Sequence, residues 1–210
     1  MAREYVGEQK LLRDVHHDVK NNLQVLISLL NLEGRFDTST KKEIIEKSGE
    51  RIRSMALSHE KVYESEDIAH VNLNSFLTSF VRDMNALSSQ PNITTNIDAE
   101  DIEVKLDVSI PLGLIINEIL SNTAKHAFPN NEEGNLNISL KKDESDAILI
   151  ISDDGVGMPE DVGPGNSLGM TIIYSLAGQI NADLTLDKEN GTKYIIKFPI
   201  EQWRIYSYFF

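Results

Sequence analysis

Two adjacent histidines interrupt the apolar pattern of a predicted helix near the start of the chain. In the stretch VHHDVKNNLQ, His16 and His17 precede Asp18, and Asn21 follows His17 by one helical turn. A neutral imidazole on an exposed helix face is a competent nucleophile, since histidine titrates at a pH of about 6.5. A carboxylate such as Asp18 can hydrogen-bond to one ring N–H and take up positive charge as a bond forms at the other nitrogen. Adjacent residues diverge by about 100° around a helix, which disfavours a metal site at the histidine pair.

A second group of polar residues lies on a strongly apolar segment, LGLIINEILSNTAKHAF. Glu118, Asn122 and Lys125 are spaced i, i+4 and i+7, which aligns them on one stripe of a helix. A carboxylate, an amide oxygen and an ammonium in line can hold a hydrated Mg²⁺ and a polyphosphate. Taken alone, the segment fits the solvated polar face of an amphipathic helix at least as well.

A third group follows a nearly continuous apolar strand, ILIIS, which ends in Asp153, Asp154, Gly155, Val156 and Gly157. A carboxylate at a strand end can accept a hydrogen bond from an exocyclic amine, and glycine lets a flat base approach the backbone closely. A glycine-rich loop then leads into a helix predicted to begin near Ser167, whose N-terminal amides could receive phosphate oxygens. Alone, the first of these is equally an acidic turn and the second a weak glycine loop.

The first part of the chain is predicted to form a helical hairpin. Apolar residues recur at spacings of three and four over residues 4–32, and a second helix is predicted over residues 41–64, with Ile45, Ile52, Met55 and Val62 at heptad-like positions. The two helices cannot bury all of their apolar stripes against each other. Dimerisation into a four-helix bundle solves this problem, and the alternative is a monomeric hairpin packed on the rest of the chain.

The remainder is predicted to be an α+β sandwich in which helices lie on one side of a set of strands. One helix is expected over residues 110–128, with Ser109 as its cap, Pro111 in its first turn and Pro129 as its stop. The chain therefore divides into a hairpin domain at residues 1–66, a sandwich domain at 67–200 and a tail at 201–210. The other elements are predicted at residues 73–88 and 167–177 for helices, and at 93–97, near 104, 135–142, 146–154, 182–188 and 192–198 for strands.

Composition restricts the possible partners of this 210-residue chain. Its formal net charge is −13, which argues against nucleic acid or an anionic membrane as the main partner. It has no cysteine, which excludes disulfides and thiolate metal sites and fits a reducing cytosol. No apolar run approaches the roughly 20 residues that span a bilayer. We expect a cytoplasmic protein without direct membrane contact, although a sensor or membrane segment could precede Met1 in a longer natural chain.

The order of these motifs over residues 71–200 resembles the GHKL superfamily, the ATP-binding domains of gyrase, Hsp90, MutL and sensor histidine kinases. Residues 118–125 resemble the N box, 153–157 the G1 box and 167–170 the G2 box, with residues 159–166 as the ATP lid. In this sequence Ser167 replaces the usual glycine of the G2 box, which is expected to stiffen the lid hinge. Glu118 stands where many histidine kinases have asparagine and where the gyrase and Hsp90 branch has its water-activating glutamate.

The resemblance implies a role for each matching residue. Asn122 would bind Mg²⁺, with Glu118 as a second candidate ligand, and Lys125 would contact the phosphates, with His126 near the nucleotide. Asp153 would bind the adenine amino group, supported by hydrogen bonds from Thr192. The other implied ATP-binding residues are the glycines of the G1 box and the whole of the G2 box: Gly155, Gly157, Ser167, Leu168, Gly169 and Met170.

The stretch VHHDVKNNLQ resembles the H box of the HisKA_2 type of sensor histidine kinase, whose pattern is HHRxKNNLQ. The resemblance covers residues 9–62 and implies that His17 is the phosphoacceptor and His16 a bystander. Asp18 departs from the arginine usual in this subfamily, so the run HDVKN also resembles the His-Asp/Glu-x-x-Asn/Thr pattern of the larger HisKA group. In that group the residue matching Asn21 is associated with phosphatase activity.

Together the two resemblances imply the catalytic core of a histidine kinase. ATP and Mg²⁺ in the second domain would support phosphorylation of His17 in a homodimer, and a response-regulator receiver domain would accept the phosphoryl group on an aspartate. Two alternatives remain open: a GHKL ATPase that uses Glu118 as its base, and a dimeric, non-enzymatic phosphotransfer adaptor with a vestigial nucleotide domain.

Overall fold

The structure, a computed structural model, describes residues 70–87, 93–159, 162–163 and 167–200, with backbone only at 83–87, 131 and 168. All of these residues belong to one compact unit of the chain, Arg53–Phe210. The predicted helical hairpin, its four-helix bundle and the tail at 201–210 lie outside the described residues, as does part of the predicted lid.

A five-stranded mixed sheet forms the framework of the described unit, in the order β2-β4-β5-β7-β6. Only the β2–β4 pair is parallel among the described strands; the others are antiparallel. A short ladder of β1 and β3 stands apart from this sheet. The strand bounds are β1 His70–Asn72, β2 Ile93–Ala99, β3 Glu103–Lys105, β4 Gly134–Asp143, β5 Asp146–Asp153, β6 Asp183–Asp187 and β7 Thr192–Pro199.

Among the described residues, three α-helices accompany the sheet: α1 (Leu73–Leu87), α2 (Leu106–Asn122) and α3 (Leu168–Gln179). Every residue of α2 from Val108 to Leu120 is buried, including the polar residues Asn117 and Glu118, so this part of the helix is enclosed on all sides and lies in the core. It contacts α3 and the β1–β3 ladder. The predicted α+β sandwich is confirmed for the second domain.

Alternation along the strands determines which side chains face the core. On β5, Ala147, Leu149 and Ile151 are buried, and the residues between them are partly exposed. Asp153 is the next member of this buried row, so the pleat of the strand directs its carboxylate inward. On β7 the buried row runs Thr192, Tyr194, Ile196 and Phe198.

The start of α2 differs from the sequence-based prediction. The helix begins at Leu106, with Lys105 at its N-cap and no side-chain cap hydrogen bond. Ser109 is therefore inside the helix, where its hydroxyl donates to the Leu106 carbonyl at 3.4 Å, and Pro111 lies in the second turn. Burial of the segment on all sides stabilises a start that local capping preference does not indicate.

The end of α2 is continued by a π-helical turn, Thr123–Ala127. A 3₁₀ turn at Pro129–Asn131 follows, so Pro129 lies just beyond the helical segment, where the sequence predicted its stop. Within the described part of the chain, no helix combines the length and apolar character that crossing a membrane requires.

Candidate functional site

A buried carboxylate lies at the end of β5. Asp153 is only 7% exposed. Its Oδ1 accepts from the backbone N–H groups of Gly155 at 3.2 Å and Thr192 at 3.1 Å. Its Oδ2 accepts from the Thr123 hydroxyl at 3.1 Å. An ionised carboxylate accepts about four hydrogen bonds, so about one acceptor position remains for a ligand.

Three glycines surround this carboxylate, and each has a structural reason. A Cβ on Gly155 would overlap the carbonyl of Ala127, against which the loop packs through a hydrogen bond from Val156 N at 2.9 Å. Gly191 has a φ of +85°, and a Cβ there would overlap the Asp153 carbonyl. Gly157 has a φ of +78°. Glycine at 155 and 191 therefore allows backbone to pack directly against backbone beside Asp153.

Glu118 and Asn122 lie against the first turn of α3. A Cβ on Gly169 would stand 3.3 Å from Glu118 Oε2 and 3.7 Å from Asn122 Nδ2. The absence of a side chain at Gly169 thus lets the helix N-terminus approach both polar groups. Amide and carboxylate oxygens are the hard donors that Mg²⁺ prefers, so the residues present fit the metal that the family resemblance implies.

The polar residues of the π turn at the end of α2 differ in their exposure to solvent. Thr123 is buried and reaches Asp153, whereas Lys125 and His126 are exposed. π turns are rare in proteins overall, but those that occur are often found at functional sites. The structure therefore brings Asn122 and Asp153 to neighbouring positions through Thr123 and leaves Lys125 and His126 at the rim.

The first turn of α3 is capped by Ser167. Its side-chain oxygen accepts from Met170 N at 3.2 Å, and its φ of −143° is extended backbone that any residue adopts. The helix is 12 residues long, and its N-terminus carries partial positive charge. Serine at this position thus has a capping function that glycine lacks.

Lys188 connects the turn between β6 and β7 to the loop that follows Gly157. Its ammonium donates to the carbonyls of Pro159 at 3.1 Å and Val162 at 2.6 Å. The beginning of the predicted ATP lid is therefore held by a residue from a distant part of the chain.

Three residues near the site have contacts for which the sequence predicted no role. Thr123 hydrogen-bonds to Asp153. Tyr194 donates its hydroxyl hydrogen to the Met170 sulfur at 3.5 Å, and burial raises its pKa to about 12. Asp154 accepts from the Asn135 backbone and side chain, both at 2.7 Å, and these bonds lower its pKa. The inward row of β7 is the one sequence signal that would have indicated Tyr194.

The residues of the predicted phosphoacceptor motif, His17, Asp18 and Asn21, lie outside the described residues. The described contacts therefore concern the nucleotide side of the predicted reaction.

Two family models match the chain and together account for most of it. The HisKA_2 model, described as histidine kinase, matches residues 14–88. The HATPase_c model, described as histidine kinase-, DNA gyrase B- and HSP90-like ATPase, matches residues 107–202. The second match contains every described residue of the site.

Curated relatives resemble nearly the whole chain. The sensor histidine kinase PdtaS of Mycobacterium tuberculosis is 28% identical over 206 residues, which cover 94% of this chain and 41% of that protein. The blue-light-activated histidine kinase 2 of Erythrobacter litoralis is 24% identical, over 91% of this chain and 57% of that protein. The chain thus spans about half, or less, of the length of these relatives.

Solved structures of histidine kinases share the fold. The blue-light activated histidine kinase of Erythrobacter litoralis superimposes with a TM-score of 0.71 at 25% identity, covering 91% of this chain and 63% of that one. The mycobacterial sensor histidine kinase MprB has a TM-score of 0.53 at 22% identity, covering 64% of this chain and 98% of that one. The second likeness concerns the fold alone.

Proposed function

We propose that this chain, which histidine kinase family models match over residues 14–88 and 107–202, is the catalytic core of a two-component sensor histidine kinase. ATP bound within residues 67–200 phosphorylates His17 in a dimeric hairpin of residues 1–66. The phosphoryl group then passes to an aspartate of a response-regulator receiver domain. This core acts in the cytoplasm, and the segment itself has no direct contact with membrane or nucleic acid.

The buried Asp153 carboxylate is the observation that supports this proposal most strongly. Three hydrogen bonds hold it in place, and its remaining acceptor position suits the exocyclic amine of adenine. Gly157 is proposed to present its backbone to the face of the base, because it carries no side chain. A merely structural acidic turn would not need a carboxylate 7% exposed at the end of a core strand.

The phosphate end of the nucleotide is proposed to lie between α2 and α3. Asn122 and Glu118 provide oxygen ligands for Mg²⁺, which when bound offsets charge on the transferring phosphoryl group. The N-terminus of α3, from Ser167 to Met170, favours anionic oxygens. Lys125 at the rim adds a cation that can reach a phosphate, with His126 beside it.

Transfer is proposed to occur at His17. A ring nitrogen donates its lone pair to the γ-phosphorus, a P–N bond forms, and the bond from phosphorus to the ADP oxygen breaks. Asp18 hydrogen-bonds to the other ring N–H and stabilises the positive charge that develops on the imidazole. Asn21, one turn away, is proposed to position water for dephosphorylation of the phosphorylated partner.

Labelling with ATP radiolabelled at the γ-phosphate tests this function. We expect wild-type protein to acquire an acid-labile, base-stable label. We expect His17→Gln to abolish the label, because it removes the nucleophile, and the matched control His16→Gln to retain it. Label that persists in His17→Gln would contradict the assignment of the phosphoacceptor.

The same assay distinguishes two other functions. Rapid phosphate release without protein label would indicate an ATPase that uses Glu118 as its base. Glu118 lies beside Gly169 at the first turn of α3, so this alternative assigns the role of base to a residue of the candidate site. Neither label nor phosphate release would indicate a non-enzymatic adaptor.

A further inference from the structure

Thr123 carries a buried hydroxyl at the point where α2 passes into its π turn. It is 5% exposed, and its backbone N–H bonds to the carbonyls of Ile119 and Leu120. A threonine inside a helical segment commonly points to solvent or returns its hydroxyl hydrogen to a carbonyl of the preceding turn. Here the hydroxyl instead donates to Asp153 Oδ2 at 3.1 Å. It thereby connects α2 to the end of β5, 30 residues further along the chain.

The two oxygens of the Asp153 carboxylate are held by different kinds of donor. Oδ1 accepts from the backbone N–H groups of Gly155 at 3.2 Å and Thr192 at 3.1 Å. Because each carboxylate oxygen has about two acceptor positions, these two bonds occupy Oδ1. Oδ2 accepts from the Thr123 hydroxyl, the one side chain among the three donors. The acceptor position that remains therefore lies on Oδ2, the oxygen that Thr123 contacts.

The bond from Thr123 restrains the plane of the carboxylate. Rotation about the Cβ–Cγ bond of aspartate is broad, without sharply preferred angles. Hydrogen bonds also tolerate a wide range of directions at such an oxygen, so the two donors at Oδ1 permit some rotation. A donor at Oδ2 limits this rotation and takes up one of the two acceptor positions of that oxygen. The direction of the free lone pair thus depends on Thr123.

We propose that Thr123 is a positioning residue of the base site, which orients the free lone pair of Asp153 Oδ2 toward the exocyclic amine of adenine. The inference deepens the proposed function and rests on it for the identity of the ligand. A purine that lacks the amine has no hydrogen to donate to this lone pair, so the bond contributes to the selection of the base. Thr123 acts through Asp153 and does not need to touch the nucleotide.

A pair of nucleotides tests the assignment in the full chain at a fixed Mg²⁺ concentration. The probes are ATP and purine riboside triphosphate, which lacks only the exocyclic amine, and calorimetry measures both affinities. We expect wild-type protein to bind ATP about ten-fold more tightly, the lower end of the range for a hydrogen bond to a charged group. Thr123→Val replaces the hydroxyl with a methyl group of similar size, and we expect this ratio to fall below about three-fold.

Two further variants separate the hydrogen bond from packing. Thr123→Ser keeps a hydroxyl at the same position and should show a ratio close to that of wild-type protein. Thr171→Val removes a hydroxyl of α3 that donates to the Ser167 carbonyl at 2.9 Å, and it should leave the ratio unchanged. Equal weakening of both nucleotides in Thr123→Val would overturn the proposal, since it would mean that Thr123 only supports the fold.

The carboxyl carbon resonance of Asp153 gives a readout without nucleotide. We expect it to shift in Thr123→Val, because Oδ2 loses its donor, and to stay in place in Thr171→Val. An unchanged Asp153 resonance in Thr123→Val would overturn the proposal. If Thr123→Val does not fold, Thr123→Ala takes its place, because it removes the hydroxyl without setting a methyl group against the carboxylate. A wild-type ratio in that variant would equally refute the assignment.

Failure of this proposal differs from failure of the proposed function. Protein that shows the expected selectivity for ATP but never labels His17 would refute the kinase activity and leave the Thr123 assignment intact. Conversely, an unchanged ratio in Thr123→Val together with labelling of His17 would refute the assignment and leave the kinase activity standing. Wild-type protein that binds the two nucleotides equally would refute the assignment alone, and wild-type protein that binds neither would refute both.

Discussion

At the scale of single residues, one carboxylate joins three elements of the candidate site. Asp153 receives a hydrogen bond from the π turn through Thr123, one from its own loop through Gly155 and one from β7 through Thr192. Each donor comes from a different segment, so the carboxylate position depends on the packing of all three. This dependence makes the site rigid before a ligand arrives, which lowers the entropic cost of binding.

The buried hydroxyl of Tyr194 predicts a specific loss of stability at alkaline pH. Its pKa is about 12 in the folded protein against 10.0 for the free group, because burial disfavours the phenolate. Between these values the unfolded chain loses the proton and the folded protein keeps it, so the free energy of unfolding falls as pH rises. Relative to Tyr194→Phe, we expect wild-type protein to be about 1.4 kcal/mol less stable at pH 11 than at pH 8.

Urea unfolding of both proteins at the two pH values measures this difference. The Phe variant cancels the contributions of lysines and exposed tyrosines that titrate in the same range. Parallel behaviour of the two proteins from pH 8 to 11 would show that the Tyr194 hydroxyl ionises normally.

The sequence indicated candidate site residues more readily than the residues that hold them in place. Asp153, Gly155 and Asn122 belong to local patterns with a recognisable chemical purpose. Thr123 hydrogen-bonds to Asp153, 30 residues away along the chain, and Tyr194 hydrogen-bonds to Met170, 24 residues away; no local pattern encodes such pairs. Only the inward row of β7 distinguishes Tyr194 from an ordinary strand tyrosine.

At the scale of elements, α2 shows where sequence rules fail. Proline is favoured in the first turn of a helix, which placed the predicted start near Ile110, four residues after the observed start at Leu106. The buried run from Val108 to Leu120 provides enough apolar contact to hold a helix that contains Pro111 in its second turn. Tertiary packing therefore determined this boundary, and local propensity did not.

The N-terminus of α3 supports a prediction about Ser167. Its side chain accepts from Met170 N, so Ser167→Ala should lower the free energy of unfolding by about 1 kcal/mol, whereas Ser167→Gly should lower it by only a few tenths. Amide hydrogen exchange in the first turn of α3 should accelerate in the alanine variant. Ser175→Ala, at an exposed position of the same helix, is the control and should show no acceleration. Equal protection in wild-type protein and Ser167→Ala would contradict the capping role.

At the scale of the whole molecule, the negative net charge of the chain opposes the binding of the proposed ligand, ATP. The chain carries a net charge of −13, and its proposed substrate is a polyanion. In the proposed mode of binding, the α3 dipole, Lys125 and Mg²⁺ would act on the phosphates at short range, whereas distant carboxylates are screened beyond about 8 Å at physiological salt. Nucleotide binding should therefore depend on the site residues far more than on the overall field.

The proposed division of labour between the two domains predicts that dimerisation and nucleotide binding can be separated. Ile52 lies in the heptad-like row of the second predicted helix, and Ile52→Asp would bury a charge at the proposed interface, which is strongly unfavourable. We expect wild-type protein to have about twice the 23.6 kDa chain mass by light scattering, as a dimeric helix bundle requires, and the variant to be monomeric. Nucleotide affinity should be unchanged, because Asp153, Asn122 and α3 lie outside the hairpin sequence.

Ser54→Asp adds the same charge two positions along, away from the apolar row, and should remain dimeric. A dimeric Ile52→Asp variant would refute the bundle as the dimer interface, and a monomer that no longer binds nucleotide would refute the independence of the two domains.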